Sequence, residues 1–97
     1  MQSVSVTDVP AHAQLIDVRE PDEFASGHAA SAVNLPLSNF SALATHIDMS
    51  QPVYVICRSG GRSAEAAQYL KEVHGAKVFN VTGGTQEWIN QGLPTAP

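Results

Sequence analysis

The sequence predicts an α/β domain in which helices cover both faces of a mainly parallel sheet. Short apolar runs typical of buried strands alternate along the chain with segments that show helical periodicity. The run Val53–Ile56 is apolar throughout, as expected for a parallel strand covered on both sides. A length of 97 residues without a linker or a repeat fits one domain, residues 1–97.

Three elements are predicted before residue 28. In residues 4–6 valine alternates with serine, which indicates a short edge strand. Residues 15–18 form an apolar run that indicates a buried strand. Residues 20–25 are expected to form a helical turn with Pro21 at its start and Gly27 after its end.

A strand and a helix are predicted next. Residues 32–35 form a further short strand that ends at Pro36, and Ser38 is placed to cap a helix that runs to about His46. The apolar residues of that helix share one face: Leu37, Phe40, Leu43, Ala44 and Ile47.

The second half begins with the strand Val53–Ile56 and a helix over residues 63–74, which has an apolar stripe and Gly75 at its end. Residues 78–81 then form a strand, and Gly83 with Gly84 is expected to be only a turn. Thr85 is placed to cap a last short helix that stops at Gly92. This helix carries Trp88, which is expected to be a core residue.

The composition excludes several classes of function. A net charge of −4 with five Lys and Arg residues argues against a nucleic-acid surface, and no apolar stretch is long enough to span a membrane. The single cysteine cannot form an internal disulfide, which suits a reducing compartment. No signal peptide is visible, so a cytoplasmic location is expected.

Cys57 is the strongest candidate for a reactive residue. It follows the strand Val53–Ile56 and precedes Arg58, Ser59, Gly60, Gly61, Arg62 and Ser63, where the next helix begins. Backbone N–H groups and the positive end of a helix dipole stabilise an anion at such a place. Because the thiolate is the nucleophile, this environment indicates an activated cysteine.

Charged residues near other strand ends are expected to order the loops around Cys57. Asp17 and Arg19 are predicted to form an ion pair with each other or with Glu23, and His28 to fix a loop by hydrogen bonding. The four histidines lack the spacing of metal ligands, so no metal site is expected.

The two arginines of the loop have different candidate roles. Arg58, directly after the cysteine, is placed to attract an anionic substrate. Arg62 could bind the same anion or pair with an acidic residue, namely Glu23, Asp17 or Glu65. The sequence does not decide between these roles.

Three segments together resemble the rhodanese family. Residues 17–24 followed by Gly27 and His28 resemble its first signature, and residues 57–63 resemble its active-site loop. Gly83 and Gly84 with Trp88 and residues 92–94 resemble its C-terminal ending. One departure lies in residues 29–32, Ala-Ala-Ser-Ala, where the family has an isoleucine and a glycine, which predicts reduced packing and a more restricted turn there.

The resemblance implies a rhodanese-like three-layer domain with a five-stranded, mainly parallel sheet. It also implies sulfur transfer through a persulfide on Cys57, with residues 58–62 as the backbone cradle and no separate cofactor. Asp17, Arg19, Glu23 and His28 match positions that order the loops in the family. The expected partners are a small anionic sulfur donor, such as thiosulfate, and an external acceptor, either cyanide or a cellular thiol.

Two alternatives stay open at this point. A cysteine phosphatase would use a Cys-x5-Arg loop, whereas here Arg62 gives Cys-x4-Arg, a shorter loop that is better suited to one sulfur atom. A rhodanese-fold module that binds a partner or senses sulfane sulfur is the alternative from another class. The physiological donor, the acceptor and the oligomeric state do not follow from the residues.

Overall fold

A five-stranded parallel sheet forms the centre of the protein, which a computed structural model describes over residues 1–97. Its strands are β1 (Gln2–Val4), β2 (Gln14–Asp17), β4 (Val33–Asn34), β5 (Val53–Ile56) and β6 (Val78–Val81). They lie in the order β1-β6-β5-β2-β4, and every neighbouring pair is parallel. Two further strands, β3 (His28–Ala29) and β7 (Thr95–Ala96), form a separate antiparallel pair. The mainly parallel, five-stranded sheet is therefore confirmed.

Helices cover the sheet on both faces. The α-helices are α1 (Pro21–Ala25), α2 (Phe40–Leu43), α3 (Gly61–His74) and α4 (Gly84–Asn90). Short 3-10 segments are Val6–Asp8, Leu37–Asn39 and Ala44–His46. None of these helices is long and apolar enough to cross a membrane.

The period of two along each strand divides the core into two layers. Ile16 and Val55 belong to a cluster that contains residues of α2 and α3, whereas Leu15 and Ile56 belong to a second cluster around Trp88 of α4. Consecutive side chains of a strand point to opposite faces, so β2, β5 and β6 each contribute to both clusters. Trp88 is buried, as the sequence predicts.

Two edge strands differ from their predicted bounds, and the strand predicted at 15–18 lies one residue earlier, at Gln14–Asp17. The first strand is Gln2–Val4 and not 4–6, because Gln2 pairs with Phe79 and Val4 with Val81 in β6. Val6 is buried and begins a 3-10 turn instead. The strand predicted at 32–35 shortens to Val33–Asn34 at the other edge of the sheet.

Three predicted helix starts differ from the structure. The helix predicted from Ser38 to His46 divides into α2 with a 3-10 turn on each side, and the Ser38 hydroxyl donates to Glu20 Oε1 at 2.7 Å and caps no helix. Gly83 occupies the N-cap of α4, so Thr85 lies inside the helix and not at its cap. The helix predicted from residue 63 begins two residues earlier, at Gly61.

The pairing of β3 with β7 was not predicted from the sequence. Ala29 pairs with Thr95 and is completely buried. A cavity of about 290 Å³ lies beside the segment that departs from the family pattern, and Ala30, Ser31 and Trp88 line it. Of the departing segment, only the exposed residues Ala30 and Ser31 border this cavity.

Candidate functional site

Cys57 lies at the carboxyl end of β5, beneath the loop that leads to α3. The residue is only 2% exposed, and the N–H of Gly60 donates to its Sγ at 3.1 Å. Gly60 adopts φ +112°, a conformation that disfavours other residues and that brings this amide over the sulfur. The loop therefore directs a backbone donor at the thiol, as the sequence predicts.

Helix α4 fixes the orientation of the first peptide groups of this loop. The N–H of Thr85 donates to the carbonyl oxygen of Cys57 at 2.8 Å, and the N–H of Gln86 donates to that of Arg58 at 3.1 Å. In a trans peptide the N–H points away from the C=O. Since the Arg58 carbonyl faces α4, the N–H of Ser59 faces the opposite side, where it stabilises the Cys57 anion.

Gly84 allows this close approach of helix and loop. A Cβ at Gly84 would lie 2.5 Å from the carbonyl oxygen of Cys57 and closer still to that of Arg58. The residue also has φ +58°, which favours glycine. Gly84 is therefore a packing requirement of the site, and its interpretation as only a turn is incomplete.

Opposing effects act on the ionisation of Cys57. Burial raises the pKa of the thiol, but the hydrogen bond between Sγ and the Ser63 hydroxyl and the N–H groups of Ser63, Gly60 and Ser59 lower it, and the pKa lies below its ordinary value. The expected activation of Cys57 thus arises from the short loop and from the first residues of α3.

A buried polar network lies next to the sulfur. Ser63 Oγ is 3.4 Å from Cys57 Sγ and 2.5 Å from Oδ1 of Asn80, a residue of β6. The Asn80 Nδ2 donates to the carbonyl oxygen of Gly60 at 3.2 Å. Asn80 therefore contacts both the loop and Ser63, and it is a site residue that sequence reasoning missed.

Asp17 and Arg19 form a buried ion pair at the end of β2. Arg19 Nη2 lies 2.9 Å from Asp17 Oδ2, and Asp17 and Arg19 are 0% and 6% exposed respectively. The same guanidinium group donates to the carbonyl oxygen of Gly27 at 2.8 Å. The pair thus connects the end of β2 to the segment after α1.

Glu23 and Arg62 form the second ion pair, between α1 and the start of α3. Arg62 Nη1 is 2.6 Å from Glu23 Oε1, and Nη2 is 2.9 Å from Oε2. The hydrogen bond from Arg62 lowers the pKa of Glu23 to about 2. Of the three candidate partners of Arg62, the structure selects Glu23.

Arg58 is exposed and belongs to neither salt bridge. It lines an open cleft of about 340 Å³ at the mouth of the site, together with Arg19, Glu23, Ser26, Thr85, Gln86 and Ile89. Since Arg19 and Arg62 already have carboxylate partners, Arg58 is the cation of the site with no such partner.

His28 fixes the segment that follows α1. Its Nδ1 is 2.8 Å from the carbonyl oxygen of Phe24, and its ring stacks on the ring of Phe24 at a centroid distance of 3.6 Å. No group of three or more His, Cys, Asp and Glu side chains is arranged to hold a metal ion.

The sequence-predicted site residues fall into two groups around the sulfur. Cys57 and the loop residues 58–63 form the site itself, whereas Asp17, Arg19, Glu23 and His28 hold the segments beside it. Gly84, Thr85 and Asn80 were missed as site residues. The signal for Asn80 was a polar residue within the apolar strand 78–81.

The geometry agrees with three comparisons. The model of the family described as "Rhodanese-like domain" matches residues 6–91. A thiosulfate sulfurtransferase of Arabidopsis thaliana, named thiosulfate sulfurtransferase 16, chloroplastic, is 37% identical over 96% of this chain and 91% of its own length. The crystal structure of a rhodanese-related protein from Thermoplasma volcanium superposes with a TM-score of 0.91 at 31% identity, and covers 99% of this chain and 98% of that chain.

A protein of Bacillus subtilis, the uncharacterized protein YqhL, is 43% identical over 78% of this chain. The match spans only 60% of that relative. Both the extent of the family match and the identity with the Arabidopsis protein lead to the same conclusion. The chain belongs to the family of rhodanese-like domains.

Proposed function

We propose that the protein is a sulfurtransferase that carries sulfur as a persulfide on Cys57. The Cys57 thiolate attacks the outer sulfur of thiosulfate or of a similar anionic donor. A bond forms between Sγ and that sulfur, the bond to the sulfonate breaks, and sulfite leaves with the electron pair. An acceptor nucleophile then takes the outer sulfur and returns the thiolate; with cyanide the product is thiocyanate.

The hydrogen bond from the Gly60 N–H to Sγ, 3.1 Å long, carries this proposal. It shows that the loop directs a donor at the sulfur before any substrate binds. A donor fixed in advance stabilises developing charge without the cost of reorganising solvent. The same amides are suited to stabilise the terminal sulfur of a persulfide.

We expect a movement of the loop to open access to the sulfur. Cys57 is 2% exposed and lines none of the four cavities of the structure. The cleft lined by Arg58 lies at the site's mouth. We therefore expect the anionic donor to meet Arg58 first and to reach Sγ as residues 58–60 shift outward.

The sulfur acceptor has to come from outside the chain. Cys57 is the only cysteine, so no second thiol of the same molecule can take up the sulfur. An external low-molecular-weight thiol or a thiol of another protein is the proposed acceptor. The reaction uses no cofactor, because the carrier is the cysteine itself.

Two contacts favour sulfur transfer over phosphate ester hydrolysis. Arg62 follows Cys57 after four residues and not after the five of a phosphatase loop, and it is engaged by both carboxylate oxygens of Glu23. A cysteine phosphatase also needs an acid to protonate the leaving alkoxide. Asp17, the carboxylate at the end of the neighbouring strand β2, is completely buried and bound to Arg19.

Intact mass spectrometry tests the proposal. The wild-type protein, treated with thiosulfate and freed of reductant, is expected to gain the mass of one sulfur atom, whereas Cys57→Ser is expected to gain none. Cys57→Ser is nearly isosteric and is expected to fold as the wild type does, so this variant is the matched control. An unchanged wild-type mass with thiosulfate, a cysteine persulfide and glutathione persulfide would contradict the proposal and favour a binding module.

A further inference from the structure

Asn80 is an unexpected residue for its position in the fold. It lies between apolar neighbours in β6, a strand of the five-stranded sheet, and is 6% exposed. Its side-chain amide contacts the Cys57 loop. A buried amide is costly unless its polar atoms are paired. Both ends of the Asn80 amide are paired, one with Gly60 and the other with Ser63.

The loop determines which end of the amide faces Ser63. The Gly60 carbonyl oxygen is an acceptor only, so the atom of Asn80 at 3.2 Å from it has to be the Nδ2 donor. The rotated amide would instead place Oδ1 against that oxygen. Oδ1 is therefore the atom that lies 2.5 Å from Ser63 Oγ.

This orientation decides where the Ser63 proton points. The Asn80 Oδ1 has no proton, so at 2.5 Å the hydroxyl of Ser63 donates to it. A hydroxyl has one proton, and Ser63 then has only lone pairs to offer Cys57 Sγ at 3.4 Å. That arrangement accepts a hydrogen bond from a thiol but gives none to a thiolate.

We propose that Asn80 is a positioning residue for the nucleophile: it holds the Ser63 proton away from Cys57 while the sulfur is a thiol, and the proton turns to the sulfur only when the anion forms. On ionisation the thiol proton leaves to solvent, and Ser63 keeps its own proton but rotates. That rotation leaves the buried Asn80 Oδ1 without a donor, which costs free energy. Asn80 thus restrains ionisation of the resting cysteine.

The inference deepens the proposed function, and the relevance of the inference to turnover rests on that function. The pKa of Cys57 is lowered first by the Ser63 hydroxyl, whose proton turns to the anion once it forms, and then by the N–H groups of Ser63, Gly60 and Ser59. The charged groups on the elements around Cys57 are Asp17 and Arg19 after β2, Glu23 of α1, Arg58 and Arg62 near α3, and Glu87 of α4. None of these changes in the variants below.

The test is a double-mutant cycle on the alkylation of Cys57. The rate of modification by iodoacetamide is measured against pH for the wild type, Asn80→Leu, Ser63→Ala and the double variant. Since the chain has one cysteine, intact mass reports this site alone. Alkylation needs no sulfur donor, so the result stays interpretable if persulfide formation fails.

Asn80→Leu removes the acceptor for the Ser63 proton and keeps a similar volume. The midpoint of the pH profile is expected to fall, with a rise in alkylation rate of up to about tenfold below the wild-type midpoint, the scale of one buried hydrogen bond. Ser63→Ala is expected to raise the midpoint. When Ser63→Ala is already present, the further change Asn80→Leu is expected to produce no fall.

Three results would overturn the inference. One is an unchanged or raised midpoint in Asn80→Leu, and another is an equal fall whether or not Ser63→Ala is present, which would assign the effect to loop packing. Asn80→Ala replaces Asn80→Leu if thermal unfolding shows that leucine is not accommodated. The third contradicting result is an unchanged midpoint in Ser63→Ala, because this variant removes the same hydroxyl without altering residue 80.

Discussion

Arg62 binds both carboxylate oxygens of Glu23, while Arg58, four residues earlier on the same loop, has no carboxylate partner. The two arginines therefore have separate roles that the sequence alone leaves undecided. Arg62 connects α3 to α1, and Arg58 supplies an unpaired positive charge in the cleft at the mouth of the site. Each role has a different consequence when the residue is changed.

Replacing Arg58 with Ala is expected to raise the KM for thiosulfate more than it lowers kcat. The side chain attracts the anion equally before and during the reaction, so its loss weakens uniform binding. Steady-state kinetics with thiosulfate and cyanide measure both parameters. Arg58→Lys is the control, since it keeps the charge and is expected to keep most of the affinity. A fall in kcat with an unchanged KM would place Arg58 in the transition state.

Replacing Glu23 with Gln is expected to reduce stability by about 1 kcal/mol or less, because the pair is about one-third exposed. The folded pKa of Glu23, about 2, lies below its ordinary value of 4.5. The stabilisation is therefore complete above pH 4.5 and is lost as the pH falls toward 2. Urea unfolding across this range should show the wild type and the variant converging at low pH.

Glu65→Gln provides the matched control for that experiment. Glu65 is an exposed carboxylate of α3 that belongs to neither salt bridge. Its replacement is expected to leave the free energy of unfolding nearly unchanged at every pH. An equal effect at positions 23 and 65 would show that the loss of net charge, and not the pair with Arg62, is responsible.

Replacing Asp17 with Asn is expected to cost about 3–5 kcal/mol of stability, because it leaves Arg19 as a buried charge without a counterion. The free energy of unfolding in urea measures this loss. Asp22→Asn, at an exposed position of α1, is expected to change it by less than about 0.5 kcal/mol. A small effect at Asp17 would mean that the Gly27 carbonyl and solvent are sufficient to stabilise the guanidinium.

Replacing Gly84 with Ala is expected to disrupt the Cys57 loop. The new Cβ would collide with the carbonyl oxygens of Cys57 and Arg58. Gly92→Ala is the control: Gly92 has a similar φ of +70°, but no atom lies within 4 Å of its Cβ position. Both variants bear the cost of a left-handed conformation, about 1–2 kcal/mol. Only Gly84→Ala is expected to lose sulfur transfer and more stability, as measured by thermal unfolding and kinetics.

The central strands were predictable because burial on both faces requires continuous apolar runs. Val53–Ile56 and Val78–Val81 have the predicted bounds. The edge strands were less well predicted, since an edge has a partner on only one side. The register of Gln2–Val4 is set by Phe79 and its neighbours and not by the first strand's own pattern.

The nucleophile and its loop were also predictable from local chemistry, because a cysteine between a buried strand and two glycines is a local pattern. The contacts that complete the site join residues far apart in the chain. Asn80 meets Ser63 across 17 positions, and Thr85 meets Cys57 across 28. The partner of a polar residue within a strand, such as Asn80, can be identified only once the fold brings that strand and the partner's helix together.

The single thiol of the chain limits the number of sulfur atoms that one molecule could carry on cysteine. Under the proposed persulfide mechanism, a molecule with a single attachment point stores one transferable sulfur atom, so excess donor alone is expected to yield one equivalent per protein. Continuous flux then requires donor and acceptor to visit the same opening in turn. The amount of acceptor, and not the amount of stored sulfur, would govern output whenever donor is plentiful.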